Sequence, residues 1–174
     1  MPKTAFDLCE KSQPLRSKLW LNRRTDEYWR LLRECDSRVT FQPPATNAQI
    51  ATLKEYAGGT IPACLEQFLR CANGLRFHYD DILFSAEMIV NETESIRHLE
   101  DEGMHMPIDH LLFIGGSGDG DAFAFGKQLC GEWTSNVYWW DHEDDSRYSC
   151  ASDTYDYVGA HVAWWHFNAE VPDA

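Results

Sequence analysis

Glycines and carboxylates are concentrated between two apolar stretches, in the segment HLLFIGGSGDGDAFAF at residues 110–125. Such a loop can turn sharply or bring its backbone close to a ligand. However, no Gly-Lys-Ser/Thr follows at the spacing of a phosphate-binding loop, and no long helical pattern follows to receive a phosphate. The residues after the glycines alternate as in a strand. The segment therefore predicts a β-hairpin that presents two carboxylates, Asp119 and Asp121, and not a nucleotide site.

More carboxylates follow the aromatic strand NVYWWD, in the segment DHEDD at residues 141–145. We interpret the acids of this half as one partner-binding face made of Asp80, Asp81, Asp119, Asp121, Asp141, Glu143, Asp144 and Asp145. Affinity also needs an aromatic anchor, which Trp139, Trp140 or Tyr138 could supply, and the strand period places Trp139 and Trp140 on opposite sides. The alternative is that the acids are solvated loop residues and the tryptophans belong to the core.

A metal site is the second chemistry that these residues suggest. Five side chains could converge as oxygen and nitrogen ligands, namely Asp119, Asp121, Asp141, His142 and Glu143. The sequence has neither a twelve-residue calcium loop closed by a glutamate nor an HExxH motif. A Cys–His nucleophilic pair likewise lacks any local signature. We therefore predict no metal, no cofactor and no catalytic residue, and keep a metal-assisted hydrolase as the alternative.

Charge is distributed unevenly along the 174 residues, whose formal net charge is -13. Residues 1–77 carry 12 Lys/Arg and 8 Asp/Glu, whereas residues 78–174 carry 3 Lys/Arg and 20 Asp/Glu. The second half therefore repels nucleic acid and attracts basic proteins, although an acidic surface can also serve solubility alone.

The class of protein follows from composition. A chain that is 44% hydrophobic and 13% aromatic can build a packed core, and this length favours one domain. No apolar run is long enough for a membrane span or a signal-peptide core. The six cysteines include no CxxC pair. We expect a cytoplasmic protein whose thiols are free and mostly buried.

Capping residues and the spacing of apolar residues predict four helices before the glycine loop. Helices are expected after Thr25, after Thr46 with Gln49 as a capping box, from Ile61-Pro62 with Pro62 at the first helical position, and from Ser85 towards Gly103. Short strands are expected at 82–84, on both sides of the glycine loop, at VYWW and around 148–151. A last helix buries Tyr155, Val158, Val162 and Trp165, with one of Trp164 and Trp165 in the core and the other exposed. Helices that precede hairpin-linked strands favour an α+β fold.

These elements occur in the order found in a known family. The stretch PPATNAQIATLKEYAGGTIPACLEQFLRCANGLRF resembles the opening of the SUKH superfamily of Smi/Knr-like domains, where a capped helix precedes a Leu/Ile-Pro helix that ends in Asn-Gly. The strand ILFSAEMI, the loop GGSGDGDAFAF, the strand VYWWDHED and the helix after SDTYDYV also resemble the family. The resemblance covers roughly residues 25–166. It predicts residues 25–174 as the SUKH-like domain and residues 1–24 as an N-terminal extension.

The resemblance implies a single α+β domain, with a mainly antiparallel sheet flanked by helices. Many bacterial members are immunity proteins that bind and neutralise a toxin of a polymorphic or contact-dependent system. It thus implies a non-enzymatic immunity protein for a cognate toxin such as a nuclease effector. The acidic charge of the second half predicts that this toxin is basic, and we expect no nucleic-acid and no membrane partner. A scaffold or regulator of a cell-wall or signalling assembly remains the alternative. Self-association into a homo-oligomer is left open.

Overall fold

The computed structural model describes residues 11–98 and 107–168. Its helices are α1 (Gln13–Asn22), α2 (Asp26–Cys35), α3 (Asn47–Tyr56), α4 (Ala63–Cys71), α5 (Ala86–His98) and α6 (Thr154–Asn168). Its strands are β1 (Val39–Phe41), β2 (Leu75–Phe77), β3 (Asp80–Leu83), β4 (Leu111–Gly116), β5 (Ala122–Lys127), β6 (Trp133–Trp140) and β7 (Arg147–Ala151). The predicted continuation of α5 towards Gly103, the first ten residues and Cys9 lie outside the described residues.

Three of the four predicted helix starts are confirmed by side-chain caps, whereas Pro62 lies just before the first residue of α4 and not in it. Thr25 accepts a hydrogen bond from the Tyr28 amide at the start of α2. Thr46 and Gln49 form both bonds of a capping box at α3. Ser85 accepts from the amide of Met88 at the start of α5. Each cap satisfies an amide that has no partner inside its own helix, and so fixes where the helix begins.

Two antiparallel sheets confirm the α+β class. One sheet has the order β1-β2-β3 and the other the order β4-β5-β6-β7. Strands β1 and β2 were not predicted from the sequence, so the prediction that helices precede strands was too simple. Both missed strands are three residues long, too short to show an alternating pattern. They form because β2 pairs with β1 on one side and with β3 on the other.

The two sheets meet where β3 lies beside β4. The Phe84 amide donates to the Ile114 carbonyl at 2.8 Å, just beyond β3. At the same junction, the Tyr157 hydroxyl of α6 donates to the Ile82 carbonyl at 2.7 Å. A Cβ on Gly115 would lie 2.2 Å from that hydroxyl and 2.5 Å from that carbonyl. Glycine is therefore required on β4 for helix and sheets to approach this closely.

The second sheet is covered on both faces. The main core lies between its inner face and the helices, and includes Leu53, Phe68 and Val158. A smaller cluster on the opposite face contains Phe113 and Trp140. Trp139 packs instead against the main core, so the two neighbouring tryptophans point to opposite faces, as the strand period predicts.

Helix α6 packs against elements from most of the chain. It packs against α1, α2, α4, β3, β6 and β7. Tyr155, Val158 and Val162 are buried as predicted, whereas Trp164 and Trp165 are both half-buried. The prediction of one core and one exposed tryptophan was therefore wrong, because both rings sit at the edge of the helix interface.

Helix α1 is integrated into this packing. Leu19 is 1% exposed and lies next to Gly159 of α6.

No helix among the described residues is long and apolar enough to cross a membrane. Of the five cysteines that the structure describes, all free, only Cys64 is buried, so the expectation of mostly buried thiols was wrong.

Candidate functional site

A cavity of about 550 Å³ opens between β3, α5, α6 and the loop that joins β4 to β5. We call it the acidic groove. Five carboxylates line it: Asp80, Asp81, Glu92, Asp119 and Asp121. Its aromatic lining consists of Tyr79, Phe84, Phe123, Trp139, Trp164 and Trp165. The arrangement combines apolar surface with negative charge, which is the composition of a binding site more than of a solvated loop.

The β4–β5 loop takes its shape from its own polar groups and one close approach. The Ser117 amide and hydroxyl both donate to the Asp121 carbonyl, at 3.0 and 2.8 Å. The Ser117 hydroxyl also bonds the Asp119 carboxylate. Gly120 has φ +111, and a Cβ there would lie within 3.0 Å of the His142 ring. The loop therefore closes a hairpin, as predicted, with Asp119 exposed at its tip.

Asp121 connects the groove to the next turn. One carboxylate oxygen accepts the indole N–H of Trp139 at 2.9 Å. The other lies 2.7 Å from the His142 Nδ1 and accepts the His142 amide at 3.1 Å. Asp121 is half-buried, and these bonds fix both rings beside the groove.

The segment 141–145 forms the turn between β6 and β7, which we call the acidic turn. Glu143 and Asp144 are exposed, and Asp141 accepts the Glu143 amide at 2.9 Å. Asp145 points inward, where it binds Arg147 at 2.9 Å and the Trp140 indole N–H at 2.6 Å. Trp140 is 1% exposed. Asp145 and Trp140 therefore support the turn from inside, and both side chains are buried.

The eight predicted acids thus separate into two neighbouring groups. Asp80, Asp81, Asp119 and Asp121 line the acidic groove. The remaining four belong to the acidic turn, which the Asp121–His142 contact joins to the groove. Asp81 is paired with Arg76 at 2.8 Å, so part of its charge is compensated.

A comparison with protein families adds an independent finding. Residues 44–159 match the model of the SMI1 / KNR4 family (SUKH-1). The chain belongs to this family. A search of curated proteins found no match. The matched range contains α3, α4, α5, all strands from β2 to β7 and the start of α6, so it includes the greater part of the acidic groove.

Local electrostatics keep this surface of the SUKH domain charged. A hydrogen bond from Ser117 lowers the pKa of Asp119, and hydrogen bonds from Ser146 lower the pKa of Asp144. The bond to Asp121 raises the pKa of His142. Burial lowers the pKa of His161 to about 3, so that this ring lines the groove in its neutral form.

Three of the five side chains considered for a metal lie together in this SUKH domain. Ligand atoms of Asp121, Asp141 and His142 are within 4.8 Å of one another. Oxygen and imidazole ligands suit several divalent cations. Asp119 and Glu143 are not members of the group. The contact of His142 with Asp121 holds two of these three groups together without a metal.

Sequence reasoning missed several groove residues of the SUKH domain. Glu92 and Met88 lie on α5, and Tyr79 precedes β3. Tyr79 directly precedes two of the predicted acids, and this adjacency is a signal that could have included it. Nothing local connects Glu92 with the glycine loop, because only the packing of α5 brings them to one cavity.

Proposed function

We propose that this SUKH-family chain is an immunity protein that binds and neutralises a cognate toxin through the acidic groove and the acidic turn. One observation carries the proposal: carboxylates from three separate segments converge on a cavity that has an aromatic lining. Binding alone is sufficient for this function, because a partner seated on the face can have its own active site covered. No catalytic residue is assigned.

The negative charge of this face indicates which kind of protein it binds. The exposed acids of this face include Asp80, Asp119, Glu143 and Asp144. A basic toxin would be attracted to them over a distance and aligned by them on arrival. A nuclease is the toxin class that fits best, because its substrate channel must attract phosphates. In this proposal the encounter occurs in the cytoplasm, where such an effector would act.

Aromatic side chains supply the other requirement for affinity. Partly exposed tryptophan and tyrosine are frequent hot spots because they bury a large area at low entropic cost. Trp139, Trp164 and Tyr79 border the groove, whereas Trp140 is excluded by its burial. The proposed contact surface is therefore the predicted acidic face without Trp140 and Asp145, extended by the aromatic lining of the groove.

The test is affinity capture from the lysate of the source cells with the tagged full chain. Salt is set at about 0.01 M and about 0.15 M, where the Debye length falls from about 30 Å to about 8 Å. We expect one dominant basic protein that is released as the salt concentration rises. The captured protein should be toxic when produced alone and harmless when produced together with this chain.

A matched pair of variants makes the capture specific. The face variant combines Asp80→Asn, Asp119→Asn and Asp144→Asn. The control variant combines Glu55→Gln, Asp109→Asn and Glu132→Gln, which are exposed residues outside the face and change the net charge equally. Loss of capture by the face variant alone supports the proposal. Several partners that are indifferent to salt, or an equal loss in both variants, would contradict it and favour a scaffold role.

A further inference from the structure

We infer that the acidic groove receives an arginine side chain of the partner, held between aromatic rings and carboxylates. The inference rests on the proposed function and specifies how the face would recognise its toxin. It concerns the groove and not the acidic turn. This distinction allows the two proposals to be tested separately.

Uncompensated negative charge is the first support. Asp80, Glu92 and Asp119 reach the groove from β3, from α5 and from the β4–β5 loop. Within the described parts of the chain, none of the three forms an ion pair, in contrast to Asp81 and Asp121. Three carboxylates around one cavity favour a cationic occupant.

The walls provide the second support. Tyr79 is 79% exposed, and its ring centroid lies 3.8 Å from that of His78. The bond to Asp121 fixes the indole of Trp139. On α6, Trp164 makes an edge contact with Trp165, with ring centroids 4.9 Å apart. Aromatic faces attract cations, and rings that are already held in place lose little entropy on binding.

Arginine fits this lining better than lysine does. Its guanidinium group is planar and weakly hydrated, stacks on aromatic rings, and can bind a carboxylate through two hydrogen bonds. The chain itself contains such a contact, since the guanidinium carbon of Arg23 lies 3.7 Å from the centre of the Trp20 ring.

The described lining of the groove offers no cationic side chain to an occupant. Its lining contains no lysine or arginine in the described segments, and His161 is neutral. The cavity volume of about 550 Å³ is in the range of about 300–1,000 Å³ that encloses small ligands. An inserted arginine would therefore meet carboxylates and aromatic rings without displacing an internal ion pair.

The experiment is a titration of the full chain with three peptides: acetyl-Gly-Arg-Gly-amide, its lysine analogue and its citrulline analogue. The indole N–H signals of the tryptophans are followed by NMR and assigned with Trp139→Phe and Trp164→Phe. We expect the arginine peptide to shift the signals of Trp139 and Trp164 but not that of Trp20, which Arg23 already covers. Lysine should bind more weakly, and neutral citrulline should cause no shift.

Two variants with equal charge change locate the binding. Glu92→Gln with Asp119→Asn should weaken the arginine peptide about five- to tenfold, the effect of removing two exposed ion pairs. Glu143→Gln with Asp144→Asn should weaken it less than about twofold, because salt screens the more distant charges. An equal effect of the two variants, an equal response to citrulline, or no shift of the groove tryptophans would overturn the inference.

The outcomes for the two proposals differ. If the captured toxin binds the groove variant normally and loses affinity for the acidic-turn variant, the immunity function holds and the arginine site fails. If the arginine peptide binds as expected but no basic partner is captured, the groove is a site for arginine and the toxin assignment fails.

Discussion

At the scale of single residues, Gly115 and Asp121 have the widest effects. Gly115 lets the Tyr157 hydroxyl reach the Ile82 carbonyl, and this bond connects α6 with the first sheet. Asp121 binds Trp139 on one side and His142 on the other. Gly115 thus lets α6 bind the backbone of Ile82, which lines the groove, and Asp121 orients the Trp139 ring of the same lining.

The first prediction concerns Gly115→Ala. Because the added methyl group would overlap the Tyr157 hydroxyl and the Ile82 carbonyl, we expect the free energy of unfolding to fall by about 1–3 kcal/mol, or more, as for other overpacked sites. Urea titration followed by tryptophan fluorescence measures it. Gly118→Ala is the control, since nothing lies within 4 Å of a Cβ there, although its φ of +88 adds some backbone strain. A loss no larger than that of the control would contradict the packing argument.

The second prediction concerns protonation of His142. The hydrogen bond to Asp121 raises the pKa of His142 above the ordinary value of about 6.5. The stabilisation from this contact is therefore complete below pH of about 6.5 and is lost as the pH rises through the raised pKa. NMR titration of the imidazole protons should show this pKa, and Asp121→Asn should return it towards the ordinary value. An unchanged pKa in that variant would show that Asp121 is not the cause.

At the scale of elements, the packing of α1 against α6 decides how the N-terminal part of the chain is held. Leu19 is buried, whereas Leu21, two positions away, is 79% exposed. We propose that residues 1–24 are an extension to the domain of residues 25–174, and that α1 docks the described part of this extension on α6. The family match, which begins at residue 44, leaves both α1 and α2 outside it.

The third prediction tests this docking. Leu19→Ala removes a fully buried side chain and should cost about 2–5 kcal/mol of unfolding free energy, whereas exposed Leu21→Ala should change it by less than about 0.5 kcal/mol. Thermal and urea unfolding of both variants give the comparison. Nearly equal values would mean that α1 contributes little to the stability of the domain.

A helix or strand could be predicted from the sequence when the interactions that form it are between residues close together in the chain. Thr25, Thr46 with Gln49, and Ser85 predicted helix starts correctly, because a cap involves residues only three positions apart. The glycine-loop hairpin was equally local. In contrast, β1 and β2 depend on pairing between residues such as Val39 and Phe77, which no local pattern reveals.

At the scale of the whole molecule, folding decides which of the unevenly distributed charges of the sequence lie at the surface. The alternation of side chains along β6 predicts that Trp139 and Trp140 point to opposite faces. It does not predict which of the two is buried. Likewise, charge alone could not show that Asp145 is neutralised inside by Arg147. Long-range packing selects which acids remain available, and it adds Glu92 to them.

The position of α6 has a consequence for protein synthesis. This helix touches six other elements, and the core residues of α2, α4 and β6 remain incompletely covered until it arrives. During translation, at about 5–20 residues per second, the ribosome must release the chain through residue 168 before these contacts can form. The nascent chain therefore exposes apolar side chains to solvent for seconds. Its folding is completed late, by contacts between residues that are far apart in sequence.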